Sequence, residues 1–310
     1  MKIYNLGSVN IDYVYAVDHF VTAGETLSSE NMKVFPGGKG LNQSVALARA
    51  GASVIHGAIV GDGGDLLTDA LAEAGADVGR IEKRPGSCGH AIIQVDRSGQ
   101  NSILLFAGTN HSIDRAYIES FLFDAEKDDV LLLQNEISGL DVIFEIAHKK
   151  QMQIAFNPSP YHESLKLLPL SYIKWWFCNE IEGAAFLGKD EPEEIAEAFL
   201  RRFPNSNLIL TLGKEGSVFV NADTYIRQPV YQVPVVDTTA AGDTFTGYFI
   251  AAITSGKSAA FALDVASKAA AITVSRQGAS ASIPTRNEVA LCSGIGLTDP
   301  VEHPGGGRHA

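Results

Sequence analysis

The sequence has 310 residues, of which 45% are apolar, enough to build one large domain or two ordinary ones without disulfide support. Its 24 Lys and Arg residues against 36 Asp and Glu residues leave a net charge of −12, which argues against a nucleic-acid partner and against binding to an anionic membrane surface. Three widely separated cysteines, Cys88, Cys178 and Cys292, lack CxxC spacing and indicate neither a disulfide framework nor a zinc site.

The first residues lead directly into a strand pattern, with no basic segment, long apolar segment or small-residue cleavage site. No run approaches the roughly 20 apolar residues that a membrane span needs. We therefore expect a cytoplasmic protein.

Two polar, turn-rich segments lie near the N-terminus. A strand is predicted at residues 2–6. Asn10 and Asp12 follow it, and their positions fit either ligand-facing groups or ordinary turn residues. A glycine-rich loop at residues 36–43 then precedes a helix predicted at 44–50. Neither the Walker spacing nor the dinucleotide spacing of glycines is present, so this loop belongs to neither of those phosphate-binding classes.

The middle of the chain alternates strands with helices. A strand is predicted at 53–60 and a helix at 66–74, followed by a β-hairpin with strands at 90–95 and 102–106. A helix from 114 to about 125, a strand at 129–133, a helix at 140–150 and a strand at 153–156 come next. This repetition predicts an α/β fold in which helices cover both faces of a parallel sheet.

Ligands in such folds bind beyond the carboxyl ends of the strands. Glu136 follows the strand at 129–133, and Asn179 and Glu182 follow another predicted at 173–178. Residues 207–217 read as strand, glycine turn and strand. The alternative interpretation of these acids is a helix-capping role without contact to a ligand.

Residues 236–245 hold the strongest candidate site. The small residues Ala240, Ala241 and Gly242 precede Asp243 at the predicted start of an apolar helix. Unpaired backbone N–H groups of Ala241, Gly242 and Asp243 are expected to face an anion, and the helix dipole adds positive potential there. Taken alone, the same pattern also fits an ordinary helix cap.

Residues 237–245 closely resemble the signature of the PfkB/ribokinase family of sugar kinases. The loop at 36–43, the Asn-x-x-Glu at 179–182 and the segment around 211–216 resemble further motifs of that family, in the family's order, and the resemblance spans about residues 2–284. It implies a three-layer, Rossmann-like α/β fold with a central, mostly parallel sheet between helices and a small β-sheet lid. The implied kinase domain is 1–297, with lid segments at about 13–34 and 87–107, and 298–310 is predicted to be a disordered tail.

The resemblance also implies transfer of the γ-phosphoryl group of MgATP to a sugar hydroxyl. Asp243 would act as the base, and the backbone of Ala240, Ala241 and Gly242 would bind the phosphoryl oxygens. The residues implied to bind the sugar are Asn10, Asp12, Gly37, Gly38, Lys39, Asn42 and Glu136, together with Asp243. The residues implied to bind ATP are Asn179, Glu182, Thr211, Gly213 and Gly216, together with Ala241 and Gly242.

Two ions are implied as well. Glu182 would order Mg²⁺ through water. An activating K⁺ would be surrounded by oxygen atoms from a second set of residues, which are Asp237, Thr239, Thr273, Arg276, Gly278 and Ser282.

The implied substrate is D-ribose, converted to ribose 5-phosphate, and the implied assembly is a homodimer formed through the lid. Two alternatives stay open. One is a sibling kinase for fructose, another ketose, deoxyribose or a nucleoside, because such relatives share the phosphate-binding half of the site. The other is a non-catalytic sensor of sugar or nucleotide, although a pure binder has no need of a carboxylate beside the phosphate site.

Overall fold

The computed structural model describes residues 1–292 and 301–303. The strands are β1 (Ile3–Leu6), β2 (Asn10–Ala16), β3 (Asn31–Gly37), β4 (Val54–Gly57), β5 (Ile59–Asp62), β6 (Glu82–Ser87), β7 (Gly89–Val95), β8 (Asn101–Phe106), β9 (Val130–Gln134), β10 (Gln153–Asn157), β11 (Ile173–Asn179), β12 (Asn207–Thr211), β13 (Ser217–Val220), β14 (Tyr225–Gln228) and β15 (Val301–His303). The helices are α1 (Lys39–Arg49), α2 (Asp65–Ala74), α3 (Arg115–Phe121), α4 (Leu140–Lys149), α5 (Glu180–Leu187), α6 (Pro192–Arg202), α7 (Ala241–Thr254), α8 (Ala259–Val274) and α9 (Arg286–Leu291).

The described residues form one large sheet with the strand order β15-β14-β13-β12-β11-β10-β9-β1-β4. From β4 to β12 in that order every neighbouring pair runs parallel, and β13, β14 and β15 are added antiparallel at one edge. The carboxyl ends of the parallel strands therefore meet along one edge of the sheet, where ligands bind in folds of this class.

Successive residues of the central strands pack into different cores, which makes the fold three-layered. In β9, Leu131 and Leu133 join a core with α3, α4, α5 and α6, whereas Leu132 joins a core with α1, α2, α7 and α8. Alternation of side chains across a strand sends neighbours to opposite faces. The predicted α/β fold with helices on both faces of a mostly parallel sheet is confirmed.

A separate four-stranded sheet has the order β3-β2-β7-β8 and contains the predicted hairpin as β7 and β8. Its first strand, β2, starts at Asn10, which pairs with Gly37 on one side and Gly89 on the other. Asn10 and Asp12 therefore lie in a strand, and not in the turn expected from their residue types. Pairing to two neighbouring strands outweighs the local turn preference of Asn and Asp.

Helix α1 begins at Lys39, five residues before the predicted start. Gly38 adopts a φ of 94°, which ends β3 and lets the helix start at once. Lys39, Asn42 and Gln43 consequently project from the first turns of a helix.

Three other predicted bounds also differ. The strand predicted at 53–60 is divided into β4 and β5, and the helix predicted to reach about 125 ends at Phe121. In the predicted tail, residues 301–303 form β15 beside β14, and the rest of 298–310 lies outside the described residues. Among the helices described here, none is both long and apolar enough to cross a membrane.

Candidate active site

The N-terminus of α7 adopts the conformation of an anion-binding turn. Ala240 has a φ of 62°, a left-handed conformation that is unfavourable for a residue with a Cβ, and the helix starts immediately after it. The amides of Gly242 and Asp243 donate no hydrogen bond to another described residue. The amide of Ala241, predicted to be unpaired, instead donates to the carbonyl of Thr238 over a long 3.3 Å. Successive amides around a left-handed residue form a concave site for an anion.

A cavity of about 240 Å³ opens at this turn. It lies at the carboxyl ends of β10, β11 and β12, as the fold class predicts. Its lining residues are Lys39, Asn157, Ser159, Phe177, Cys178, Asn179, Glu182, Ile209, Thr211, Thr238, Ala240, Ala241, Gly242, Asp243, Phe245 and Thr246. The predicted base and anion site therefore share one cavity with three further residues predicted to bind ATP, which are Asn179, Glu182 and Thr211.

Asp243 is buried and held on both carboxylate oxygens by side-chain amides of α1. Asn42 Nδ2 donates to Asp243 Oδ2 at 3.1 Å, and Gln43 Nε2 donates to Asp243 Oδ1 at 2.9 Å. No side-chain cap is made at the N-terminus of α7, so the simple capping interpretation of Asp243 is not what the geometry supports.

A second cluster of polar groups joins the cavity through Lys39. The backbone amide of Lys39 donates to Glu136 Oε2 at 3.2 Å, and the hydroxyl of Ser8 donates to the same oxygen. Burial disfavours the charge on the Lys39 ammonium, but the carboxylates of Asp243, Glu136 and Glu182 outweigh it and raise the pKa of Lys39. The ammonium therefore stays charged between the two parts of the site.

The carboxyl groups of Asp12 and Glu136 are largely shielded from water. Burial raises the pKa of Asp12 to about 7, with a further contribution from the charge of Glu136. Burial also raises the pKa of Glu136, against the opposing effects of Lys39 and of the hydrogen bond from Ser8. Carboxylates that burial deprives of water are typical of ligand sites, because hydroxyl donors from a ligand can satisfy them.

The raised pKa of Asp12 makes a prediction about stability without ligand. The unfolded chain releases the Asp12 proton near pH 3.8 and the folded protein near pH 7, so folding is progressively disfavoured as pH rises across that window. Asp12→Asn removes this cost. We expect the variant's advantage in free energy of unfolding to grow by about 2 kcal/mol from pH 5 to pH 8.

Urea denaturation of wild type and Asp12→Asn at pH 5, 6, 7 and 8 measures this difference. Asp65→Asn, which changes an exposed acid in the first turn of α2, is the control and should show a constant offset. Curves of wild type and Asp12→Asn that stay parallel over the whole pH range would contradict the prediction.

Glycine is required at two positions of this cluster. A Cβ atom on Gly37 would lie 2.0 Å from Asp12 Oδ2, so the carboxylate rests directly on the bare backbone. Gly38 has the left-handed φ, and a Cβ there would lie 2.9 Å from the carbonyl oxygen of Ser8. Both glycines thus position Asp12 and the start of α1.

Comparison with known proteins decides the family. A profile described as pfkB family carbohydrate kinase matches residues 2–286. The chain belongs to the PfkB family of carbohydrate kinases. It is therefore an ATP-dependent sugar kinase.

Several relatives of this PfkB kinase are similar over nearly their whole length. The ribokinase of Haemophilus influenzae is 36% identical over 293 residues, covering 91% of this chain and 95% of that protein. The deoxyribokinase of Salmonella typhi is 30% identical over 301 residues, covering 92% and 96%. The structure of Arabidopsis thaliana ribokinase complexed with ribose and ATP has a TM-score of 0.82 and 27% identity, covering 94% of this chain and 97% of that one.

In this PfkB kinase, Asn179 and Glu182 form a reciprocal helix cap at the start of α5. The amide of Glu182 donates to Asn179 Oδ1 at 2.8 Å, and the amide of Asn179 donates to Glu182 Oε2 at 3.1 Å. The capping contacts are present, and because the two residues also line the cavity, capping does not exclude the predicted contact with ATP. The side-chain nitrogen of Asn179 and the second oxygen of Glu182 are the atoms left for a ligand.

Of the three residues in the 207–217 segment that are predicted to bind ATP, one lines the cavity and two do not. Thr211 ends β12 and lines the cavity, whereas Gly213 and Gly216 lie outside the cavity lining and shape the turn into β13. A Cβ atom on Gly216 would lie 2.0 Å from the carbonyl oxygen of Gln228. The two glycines form the tight turn that follows Thr211 and leads back into β13.

The predicted K⁺ residues come from two loops that meet beside α7. Asp237 accepts from the amide of Thr239 at 2.9 Å and from the amide of Gly278 at 3.0 Å. Burial opposes the charge on Asp237, but the hydrogen bonds from Thr239 and Gly278 outweigh it and lower its pKa. An ionised carboxylate therefore joins the two loops.

Some atoms of the other predicted K⁺ residues already make hydrogen bonds or ion pairs within the protein. The Thr273 carbonyl accepts from the amide of Arg276 at 3.1 Å. The Arg276 side chain pairs with Glu288 at 2.6 Å, but the ligand that the resemblance implies at this position is the backbone carbonyl of Arg276. The Ser282 hydroxyl donates to the carbonyl of Ala279 at 2.7 Å, which leaves its own oxygen able to accept. The donor set is made of oxygens, which suits a hard cation.

Sequence reasoning missed several polar residues of the site. Asn110 donates to Asn10 Oδ1 at 2.8 Å and accepts from the amide of Val9 at 3.0 Å. Ser8 and Gln43 also contact site residues, but neither is predicted as a site residue from the sequence, although Gln43 lies in the glycine-rich loop at 36–43. A usable signal exists for two others, since the buried amide Asn5 interrupts an otherwise apolar strand and the buried amide Gln134 ends one.

Proposed function

We propose that this protein transfers the γ-phosphoryl group of ATP to the 5-hydroxyl of D-ribose. The observation that carries the proposal is the position of Asp243, which lines the same cavity as the anion-binding turn of α7 while its carboxylate oxygens accept from side-chain amides of helix α1. An acceptor hydroxyl on Asp243 would lie between the phosphoryl site and the polar cluster of Asp12, Glu136 and Asn42. The ribose assignment is supported by the relatives named ribokinase.

The chain's residues divide the chemistry between them. Asp243 orients the hydroxyl and accepts its proton late, because a loose phosphoryl-transfer transition state requires little deprotonation beforehand. The free amides of Gly242 and Asp243 bind phosphoryl oxygens, and Lys39 offsets negative charge that develops there. Closure of the small sheet over the sugar would exclude water as a competing acceptor.

Two ions fit the residues present. Mg²⁺, when bound with ATP, would offset the negative charge of the phosphate groups. Glu182 would hold it through water, which suits an ion that keeps much of its hydration. Within residues 1–292 and 301–303 no cluster of three or more His, Cys, Asp or Glu side chains could hold a metal directly. Asp237 and the loop around Gly278 would hold K⁺ and thereby support the anion-binding turn.

We also propose a homodimer formed through the small sheet. Strand β8 is exposed along its whole length, and Leu104 and Phe106 expose 68% and 54% of their surface. Leu104 pairs with Ile92, which pairs with Tyr13 and through it with Val34, so an apolar row crosses all four strands. Such a surface is unfavourable in water and is covered when two copies pair.

Sedimentation equilibrium at micromolar concentration tests the dimer. Wild type should sediment at twice the chain mass, and Leu104→Asp should sediment as a monomer because the charge cannot be buried at an apolar interface. Leu167→Asp, which alters an even more exposed leucine away from this sheet, is the control and should remain dimeric. A monomeric wild type contradicts the proposal.

Phosphorylation assays with D-ribose, 2-deoxyribose, fructose, tagatose and adenosine test the substrate. Each acceptor is assayed with MgATP in K⁺ and in Na⁺, and we expect the highest kcat/KM with ribose and a higher rate in K⁺. Deoxyribose is the second candidate, because the Salmonella typhi relative is a deoxyribokinase. Preference for another acceptor would overturn the ribose assignment, and absence of turnover with every sugar and nucleoside would favour a non-catalytic sensor.

A further inference from the structure

A chain of buried amides runs from Asp243 into the centre of the sheet. Gln43 donates to Asp243 at 2.9 Å, and its own carbonyl oxygen accepts from Gln134 Nε2 at 2.7 Å. The same nitrogen of Gln134 donates to Asn5 Oδ1 at 3.0 Å. Gln43, Gln134 and Asn5 are completely buried, and none of them lines the cavity. Their side chains therefore offer no exposed surface to a ligand in the structure as described.

The direction of every amide in this chain is determined. Asn5 Nδ2 donates to the carbonyl of Gly40 and to Ser44 Oγ, both at 2.8 Å, so its oxygen must face Gln134. Gln134 then uses both protons of its nitrogen, one on Asn5 and one on Gln43. Gln43 is left with its carbonyl toward Gln134 and its NH₂ group toward the carboxylate.

A rotated Gln43 amide would be strongly disfavoured. It would bring its oxygen against the oxygen of Asp243 and its nitrogen against the nitrogen of Gln134, and both groups would be left unsatisfied in a buried place. Water cannot replace the lost hydrogen bonds, because the Gln43 side chain is completely buried. The core thus presents one fixed hydrogen-bond donor to Asp243.

We infer that Gln43 is a positioning residue for Asp243, held in a single amide orientation by Gln134. This inference rests on the proposed role of Asp243 as the base. Asn42 holds the other oxygen, but Asn42 is itself one of the residues predicted to bind the sugar. Gln43 has no such second task and keeps the carboxylate aligned through the reaction.

Two substitutions of Gln43 separate positioning from simple packing. Gln43→Met keeps the volume but removes the donor, and Gln43→Glu keeps the acceptor for Gln134 but turns an oxygen toward Asp243. We expect kcat to fall by about 10- to 100-fold in both variants, while KM for the sugar and for ATP changes by less than about threefold. The amount of folded enzyme is measured by calorimetric titration with ATP.

Asn207→Leu provides the matched control. Asn207 is another buried amide, at the opposite end of β12 from the cavity, and it donates to the carbonyl of Lys174 at 3.1 Å. Its loss should lower the melting temperature and leave kcat within about twofold of wild type. If Gln43→Met shows this same pattern, Gln43 only stabilises the core and the inference is wrong.

A crystal structure of Gln43→Met supplies a readout that does not depend on turnover. We expect the Asp243 carboxylate to rotate away from its wild-type orientation; an unmoved carboxylate would overturn the inference. The proposed function is tested separately by turnover of wild type with the acceptor panel. A wild type without turnover and a rotated carboxylate in the variant would reject the kinase assignment but retain the structural role of Gln43.

Discussion

Asp243→Asn is expected to lower kcat by about two to four orders of magnitude and to leave the Kd for the sugar nearly unchanged. The amide retains the size of the side chain but cannot accept the hydroxyl proton. It also turns one nitrogen toward the amide of Asn42 or Gln43, so part of the buried network loses an acceptor. Steady-state kinetics gives kcat, and calorimetry with the sugar gives the binding constant.

Asp65→Asn is the matched control for this substitution. Asp65, like Asp243, is an acidic residue in the first turn of a helix, but it lies on the surface at the start of α2. Its removal should change kcat by less than about twofold. Turnover of Asp243→Asn at the wild-type rate would show that the base lies elsewhere, whatever the family resemblance implies.

Lys39→Met should have the second largest effect, a fall in kcat/KM for ATP of about 100-fold. The Lys39 ammonium interacts with the carboxylates of Asp243, Glu136 and Glu182, and it is the only basic side chain among the described residues that line the cavity, where it would offset the charge of the transferred phosphoryl group. Without it, three carboxylates repel both one another and the nucleotide. We therefore also expect a lower melting temperature, partly restored by MgATP.

Steady-state kinetics with ATP as the varied substrate measures the effect of Lys39→Met. The control is Lys214→Met, because Lys214 is an exposed lysine in the turn after β12 and does not line the cavity. That variant should bind and use ATP like wild type. Equal kcat/KM values for the two variants would mean that Lys39 contributes only its backbone amide to the site.

The α/β fold could be predicted from the sequence because its evidence is local. Alternating apolar strands and amphipathic helices between residues 114 and 156 indicate a parallel sheet covered on both faces, and that is the observed arrangement. Helix ends that depend on neighbouring residues were also predictable, as at Gly75, which ends α2 in a left-handed conformation. The prediction erred where a distant partner decides, as at Asn10, which pairs with Gly37 and Gly89.

In the candidate site, too, one part could be predicted from local sequence and another depends on contacts between distant segments. The signature around Asp243 predicts the base and the anion-binding turn, since both depend on one short segment and the start of one helix. Tertiary structure alone decides that Gln43, 200 residues away along the chain, orients that carboxylate, and that Gln134 and Asn5 determine the direction of the Gln43 amide. The type of a residue tells which hydrogen bonds its side chain can make. The partner is selected by the folded backbone, because an amide that is buried where strands and helices pack together is stable only if it finds a partner there.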